Sequence, residues 1–313
     1  MEQQTAQHQS RRDYFLAAFL APFIWGFMSI PVRWIKGWPA DDILNFRILS
    51  ALVSLWVFIL LFRIHKVKQD INTFTSQKPQ QRRRVLVLTF LCSVFIFGNW
   101  YTYIYAINNI SVQSAAFGYL ICPLITTFAA RVILKEALTP LKWLALGIAF
   151  ISACLLATGS LIEVAWSFAI ALLYALYLII QRSVQGYDKL NSLAVQLTIC
   201  SIFIIPILFI QGHPVPQGYI FWSTIVLIAV LFTIIPLFLS MYALTGISSS
   251  TTGVLLYVNP IIAFVLAIFY FHEPVSPQKY MAYTLLFFAI ALFNAKPILS
   301  LFKSKTKNKR LAK

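Results

Sequence analysis

The stretch LICPLI at residues 120–125 recurs as YVNPII at residues 257–262, an offset of 137 residues. Three further pairs match at the same offset: Tyr105 with Tyr242, Glu136 with Glu273, and Lys142 with Lys279. Self-similarity over such a separation indicates a duplicated structural unit. The chain is therefore interpreted as two related halves.

Closer to the start of each half, the offset grows to 149 residues. It then aligns Trp25 with Tyr174 and Arg47 with Gln196. The difference fits a longer, charged link at residues 64–84 in the first half, because the corresponding link in the second half is short.

The composition is that of an integral membrane protein. Hydrophobic residues fill 60% of the 313 positions, charged residues fill 11%, and the mean hydropathy is +0.79. Soluble domains are about half apolar and about a quarter charged, so this chain has too few polar residues to cover a soluble core. Its 27 Phe, 14 Tyr and 8 Trp residues suit a lipid-facing surface with aromatic belts. A soluble enzyme, a disordered protein and a disulfide scaffold are excluded.

Ten apolar stretches are long enough to cross a bilayer core of about 30 Å as helices. They fall at residues 14–33, 43–63, 85–107, 112–134, 141–160, 163–181, 191–211, 219–245, 248–271 and 277–298. Each half has an odd number of spans, so the second half must enter the membrane upside down relative to the first. Inverted repeats are typical of secondary transporters, which hold their substrate between the halves.

We therefore predict an all-α integral membrane fold of ten transmembrane helices in two inverted five-helix repeats. The repeats cover residues 14–160 and 161–298, and the tails cover residues 1–13 and 299–313. Tails and loops on the side of the termini carry 21 Lys and Arg residues, against 3 on the other side. This asymmetry predicts that both termini are cytoplasmic. The net charge of +16 then reflects anchoring at anionic lipid headgroups, and no nucleic-acid partner is predicted.

Nothing in the sequence predicts catalysis, a metal site or a cofactor. The four Cys residues lie in apolar runs, the four His residues lie in tails or loops, and no Asp or Glu lies in the middle of a span. A phosphate-binding glycine loop is also missing from the sequence. The predicted partners are a small-molecule substrate and the lipid bilayer.

Several motifs are shared with a known family. They are Ile24-Trp25-Gly26, Asn45–Ser50, Gly98–Asn108, Phe117-Gly118-Tyr119, Cys122-Pro123, Glu136, Tyr257, Pro260 and His272–Pro277. On these residues the chain resembles the EamA-type drug/metabolite transporter superfamily, and within it the RarD-like branch. It departs from that branch at Phe46, where His is usual, and at Cys122, where Asn is common.

The resemblance implies a ten-helix exporter of small metabolites or drugs in the cytoplasmic (inner) membrane of a bacterium. It also implies a supporting or dimerising role for spans five and ten, and hence a homodimer as one assembly. Two alternatives from other classes stay open: an intramembrane enzyme acting on lipid or prenyl groups, and a non-transporting scaffold or sensor.

Arg47 is the sharpest single signal for a binding site. It lies inside span two, where an unpaired Arg costs about 2.5–3.5 kcal/mol on insertion scales, so it must face the interior, a wet cavity or a route to the headgroups. Its guanidinium offers paired donors for a carboxylate. The alternative is a structural Arg bonded to helix-end carbonyls or loops. Its repeat mate Gln196 is neutral, so the predicted site is asymmetric.

Polar and aromatic residues of spans three, four and nine complete the predicted central cavity. They are Asn99, Trp100, Tyr103, Tyr119, Tyr257 and Asn259. Such side chains stack on planar ligands and also form hydrogen bonds. For the three residues of span three, the alternative is an aromatic belt at the membrane interface. Tyr101 and Tyr105 are assigned to that belt or to packing.

Two prolines and two glutamates occupy equivalent positions in the halves. Pro123 and Pro260 each remove a backbone donor, which predicts either symmetry-related hinges or static kinks. Glu136 and Glu273 precede the start of the next helix. We interpret them as partners of cations or helix-end N–H groups, with proton coupling as the alternative.

The predicted function is secondary transport by alternating access. The cavity suits compact amphipathic solutes that carry an acceptor or carboxylate, such as amino-acid-like or aromatic metabolites.

Overall fold

The computed structural model describes residues 2–110, 112–157, 161–212, 214–270, 272 and 277–295, and the regular structure within these ranges is entirely helical. Glu273 and the predicted basic tail at 299–313 lie outside the described residues.

The first half contains seven helices among the described residues. They are α1 (Glu2–Gly26), α2 (Ser29–Trp34), α3 (Ala40–Phe62), α4 (Ile64–Ser76), α5 (Pro79–Asn109), α6 (Val112–Ile133) and α7 (Pro140–Leu156). The second half contains α8 (Leu161–Ser183), α9 (Lys189–Gln211), α10 (Tyr219–Ala229), a π-helical turn (Val230–Ile234), α11 (Ile235–Gly246), α12 (Ser249–Leu255), α13 (Val258–Phe269) and α14 (Pro277–Phe293).

Eight helical segments in the described part of the chain are long and apolar enough to cross a membrane. They coincide with predicted spans one to four and six to nine. Spans five and ten coincide with α7 and α14, which are 17 residues each. Both are shorter than the roughly 20 residues that a full crossing needs, so the ten-span count stays a prediction.

Proline shapes the eighth span. Pro236 has no N–H, so the Phe232 carbonyl four residues earlier loses its helical donor. The chain widens there into the π-helical turn, and the indole Nε1 of Trp25 donates to the Phe232 oxygen at 2.9 Å. The irregular turn of one half is thus held by a residue of the other.

The two equivalent prolines have unequal surroundings. Pro123 lies inside the continuous helix α6, whereas Pro260 lies in the first turn of α13, just after a break. The break occurs because Pro260 cannot donate to the Leu256 carbonyl, which instead accepts from the Asn259 N–H at 3.1 Å.

Packing between the halves occurs in matched pairs. Helix α8 packs on α5 and α6, and α1, its counterpart in the predicted repeat, packs on α11 and α13. Helix α3 packs on α10, and its counterpart α9 packs on α5. The remaining counterparts, α7 and α14, pack on each other. For each of these contacts between a helix of one half and a helix of the other, the equivalent contact therefore also exists with the two halves interchanged.

Two glycines allow close helix contacts. A Cβ on Gly118 would lie 3.0 Å from Ile170 of α8, and a Cβ on Gly253 would lie 2.8 Å from Thr126 of α6. A larger residue at Gly253 would therefore force α6 and α12 apart.

Helices α7 and α14 lie at the periphery. Ser152 donates to the Ala282 carbonyl across their contact at 2.8 Å, and Ala145 and Ala149 are buried in it. Their outer faces expose large apolar side chains, including Trp143 and Phe287. This arrangement agrees with the supporting role expected for spans five and ten.

The charged link at residues 64–84, for which the sequence predicts no span, contains the amphipathic helix α4. Arg63, just before α4, pairs with Asp188 at 2.8 Å. Asp70 of α4 accepts hydrogen bonds from the Asp188 N–H at 3.2 Å and from Asn191 Nδ2 at 2.7 Å. We call residues 63–77 the α4 strap, because they join the first half to the start of α9.

The end of the α4 strap makes a further contact with the second half. The Tyr187 hydroxyl donates to Gln77 Oε1 at 3.0 Å. Burial raises the pKa of Tyr187, and the nearby Asp70 carboxylate acts in the same direction. The hydroxyl therefore keeps its proton and remains a donor.

Candidate functional site

Arg47 lies in the interior of the helical bundle. Helix α3 directs it inward, and only 9% of its surface is exposed. Its guanidinium carbon lies 5.5 Å from the centroid of the Trp100 ring, and Nη1 lies 3.8 Å from Met28 Sδ. Its Nε is buried and has no hydrogen-bond partner in the described part of the chain. Within the described residues no backbone carbonyl accepts from Arg47, which favours an open donor over a helix-end bond.

The described neighbours of Arg47 are all uncharged. Tyr103 and Tyr119 are near enough to interact with it electrostatically. Their rings pack against each other with centroids 5.3 Å apart. We call Arg47 and its three aromatic neighbours, Trp100, Tyr103 and Tyr119, the Arg47 enclosure.

Asn99 organises this enclosure. It is fully buried, donates through Nδ2 to the Ile170 carbonyl at 2.8 Å, and accepts from the Tyr119 hydroxyl at 3.0 Å. These bonds connect α5, α6 and α8. Burial of Asn99 and Trp100 excludes the interfacial-belt alternative for these two residues in this conformation. Tyr105, by contrast, is exposed and stacks on Trp166 at 4.8 Å, as its assignment to the belt or to packing expects.

Sequence reasoning missed Tyr174 of α8 as a site residue. Its ring contacts Tyr119 at 6.1 Å and Trp25 at 6.3 Å, and its buried hydroxyl has no partner among the described residues. The repeat alignment carried a signal, because it paired Trp25 with Tyr174. The alignment did not reveal that the two rings touch.

Gln196 lies in a separate polar cluster. Its Nε2 donates to Gln181 Oε1 at 2.8 Å, while Gln196 Oε1 and Gln181 Nε2 are buried without partners in the described chain. Tyr177, one turn from Gln181 on α8, contacts Tyr174 at 5.8 Å. The α8 residues Tyr174, Tyr177 and Gln181 connect Gln196 to the Arg47 enclosure.

Tyr257 and Asn259 are not brought against Arg47. Tyr257 is buried in the core cluster that also contains Leu120 and Ala149, and its hydroxyl has no partner in the described chain. Asn259 is partly exposed at the start of α13. Their assignment to the cavity stays a prediction that another conformation would have to satisfy.

Glu136 has a structural environment. Its carboxylate accepts from the N–H groups of Ser249 at 2.7 Å and Ser250 at 3.1 Å, and from the Ser250 hydroxyl at 2.5 Å. These are the free donors at the start of α12. The interpretation of Glu136 as a partner of helix-end N–H groups is confirmed.

The model of the EamA-like transporter family matches residues 14–158 and 161–295. The chain belongs to this family. Its curated relatives include an uncharacterized transporter YojE of Bacillus subtilis, 27% identical over 92% of this chain and 95% of that protein. Two proteins named RarD are also similar, from Escherichia coli (26% identical, 90% of this chain and 94% of the relative) and from Streptomyces exfoliatus (28% identical, 90% and 88%).

A solved crystal structure shares the fold of this EamA-like transporter. It superimposes with a TM-score of 0.73 at 14% identity and covers 90% of this chain and 97% of the other. Among the described residues, no group of His, Cys, Asp and Glu is arranged to hold a metal ion.

Proposed function

We propose that this EamA-like protein is a secondary transporter that exports small amphipathic solutes, amino-acid-like or aromatic metabolites or drugs, by alternating access. The observation that carries the proposal is the buried Arg47, whose Nε has no partner in the described chain and whose neighbours are Trp100, Tyr103 and Tyr119. A substrate carboxylate would complete this donor set with paired hydrogen bonds.

The proposed architecture is two inverted five-helix repeats at residues 14–160 and 161–298. Contacts that recur with the halves exchanged support a two-fold relation between them. The contact between the repeat mates Trp25 and Tyr174 supports it further, since only residues near a two-fold axis meet their own counterparts. The Arg47 enclosure lies close to this contact, where transporters of this architecture bind substrate.

Alternating access would rock the two halves around the enclosure. The site residues Asn99 and Trp100 are buried, which fits a conformation closed around the site. Bending near Pro123 and near the break before Pro260 would open each side in turn. Because the break lies only in the second half, the two openings would differ in stiffness.

The proposed location is the cytoplasmic membrane of a bacterium, with both termini in the cytoplasm. The support is the 21-to-3 distribution of Lys and Arg. The α4 strap would then be cytoplasmic, and the exposed faces of α7 and α14 would meet lipid or a second copy in a homodimer. Cysteine labelling in a background free of the four native Cys residues tests this: Gln185→Cys and Gln217→Cys should react from opposite sides of the membrane.

Flux into proteoliposomes tests the function itself. The purified full chain should give saturable uptake of labelled aromatic carboxylates, and empty vesicles should not. Conversion of a lipid or prenyl compound without flux would favour the enzyme alternative. Neither flux nor conversion would favour the scaffold alternative.

A further inference from the structure

Among the residues that the structure describes, Arg47 has no acidic neighbour with which to share its charge. The residues described in contact with it, or interacting with it electrostatically, are Met28, Trp100, Tyr103 and Tyr119, all neutral. Asp42, five positions earlier on α3, projects about 140° away around the helix. The Glu136 carboxylate binds the start of α12.

A buried cation without a counter-charge is costly, and an anion that enters beside it lowers that cost. Arg47 is more than nine-tenths buried and its Nε has no partner in the described chain, so the site retains an unused buried donor. A bound carboxylate would accept from Nε and from an Nη of the guanidinium together.

The same surroundings disfavour a substrate with an amine. An ammonium group would add a second positive charge to an enclosure that holds no described carboxylate. Aromatic faces can bind ammonium groups, and indole is the best of them. The Trp100 ring, however, already lies beneath Arg47 at 5.5 Å. For a zwitterionic amino acid, the unfavourable interaction of its ammonium group therefore offsets the binding free energy that its carboxylate gains.

We propose that the substrates of this transporter are organic monoanions with an aromatic or planar body and no cationic group, and that their export is driven by the membrane potential alone. This inference rests on the proposed transport function and narrows its substrate class. The carboxylate binds Arg47, and the body packs among Tyr103, Tyr119 and Tyr174. The free Tyr174 hydroxyl is a donor for a neutral polar group on that body.

The charge balance gives the direction of transport. The empty site carries one positive charge from Arg47, and the loaded site is neutral. The loaded site crosses without net charge, and the empty site returns with its positive charge towards the negative interior. Each cycle exports one negative charge, and 100 mV supports a gradient of about 50-fold. No coupling ion is required, which agrees with a sequence that has no acidic residue in the middle of a span.

Four probes share a phenylethyl body and differ in the charge of their polar groups. They are phenylpropionate (anion), phenylalanine (zwitterion), phenethylamine (cation) and phenylpropionamide (neutral). Flux is measured in proteoliposomes of the full chain, with potentials imposed by potassium gradients and valinomycin. Phenylpropionate should be transported about 10- to 100-fold faster than phenylalanine at equal concentration. The reason is that the ammonium group of phenylalanine cancels the binding energy that its carboxylate gains from a charge-assisted bond. The rate of phenylpropionate flux should rise when the compartment that contains phenylpropionate is made electrically negative. No proton or sodium gradient should be needed for this increase.

A matched pair of variants assigns the effect to Arg47. Arg47→Gln should reduce phenylpropionate flux by about tenfold or more and so remove most of its advantage over phenylpropionamide flux. Lys68→Gln, which removes an exposed positive charge on α4, should change neither. Equal or faster flux of phenylalanine or phenethylamine, or flux insensitive to potential, would overturn the inference while transport itself stands. Flux of none of the four probes would overturn the inference and also contradict the proposed function.

Discussion

The Arg47 guanidinium lies over the Trp100 ring, 5.5 Å from its centroid, a distance at which the negative ring face stabilises a cation. Trp100→Phe keeps a ring and should cost about 0.5–1 kcal/mol of unfolding free energy. Trp100→Leu removes the ring and should cost about 3 kcal/mol, since it also leaves a cavity. Thermal unfolding in detergent measures both, with the exposed Trp143→Leu as control. Equal losses in Trp100→Leu and Trp143→Leu would mean that the stacking has no energetic role.

The Glu136 carboxylate holds the first N–H groups of α12, Ser249 and Ser250. Glu136→Ala should therefore lower the unfolding free energy by about 1–2 kcal/mol, and Glu136→Gln, which keeps one acceptor, by less. Denaturant titration in mixed micelles measures the unfolding free energy of both variants and checks that Glu136→Ala loses more than Glu136→Gln. A proton-coupling role would give another pattern: Glu136→Gln would keep its stability, and transport would lose its response to a pH gradient.

The α4 strap predicts a measurable coupling between Arg63 and Asp188. Both side chains are partly exposed, so their interaction should contribute about 0.5–1 kcal/mol in a double-mutant cycle with alanine. Asp188→Ala alone should cost about 1 kcal/mol more than Arg63→Ala, because Asp188 also caps α9 through the Leu190 N–H. Lys68→Ala on the exposed face of α4 should have no effect. A coupling of zero would show that the strap does not depend on this ion pair.

The contact between α7 and α14 predicts a change in stability without a change in specificity. Ala149 is buried there, so Ala149→Leu should overpack the contact and cost about 1–3 kcal/mol. Phe150→Leu, at an exposed neighbouring position, is the matched control. Folded yield and substrate profile are measured together. An altered substrate profile at normal folded yield would mean that α7 and α14 contact the substrate pathway, contrary to their peripheral position.

Composition and span length predicted the helical membrane fold, because a bilayer leaves few other ways to satisfy the backbone. For Arg47 the cost of exposing a cation to lipid left three placements open, the interior, a wet cavity or a route to the headgroups, and the structure places it in the interior. The α4 strap was not, because its docking depends on Asp70 meeting Asp188 across 118 positions of sequence. Periodicity within a helix carries no information about such tertiary partners.

The position of Tyr174 was only partly predictable. The repeat alignment gave its counterpart, Trp25, but not the geometry that brings the two rings together. Gln196 shows the opposite case: the alignment paired it with Arg47, whereas the structure pairs it with Gln181. Sequence equivalence defines which residues correspond, and packing decides which of them share a site.

The most direct test of Arg47 as substrate anchor is the transport rate of phenylpropionate per folded protein for Arg47→Lys and Arg47→Gln. Lysine keeps the charge but loses the paired donors, and glutamine loses the charge. Rates should fall by about tenfold or more in both variants, with folded yield close to wild type. Wild-type rates in both variants would contradict it, as would a loss of folded yield in Arg47→Gln that accounts for the whole decrease.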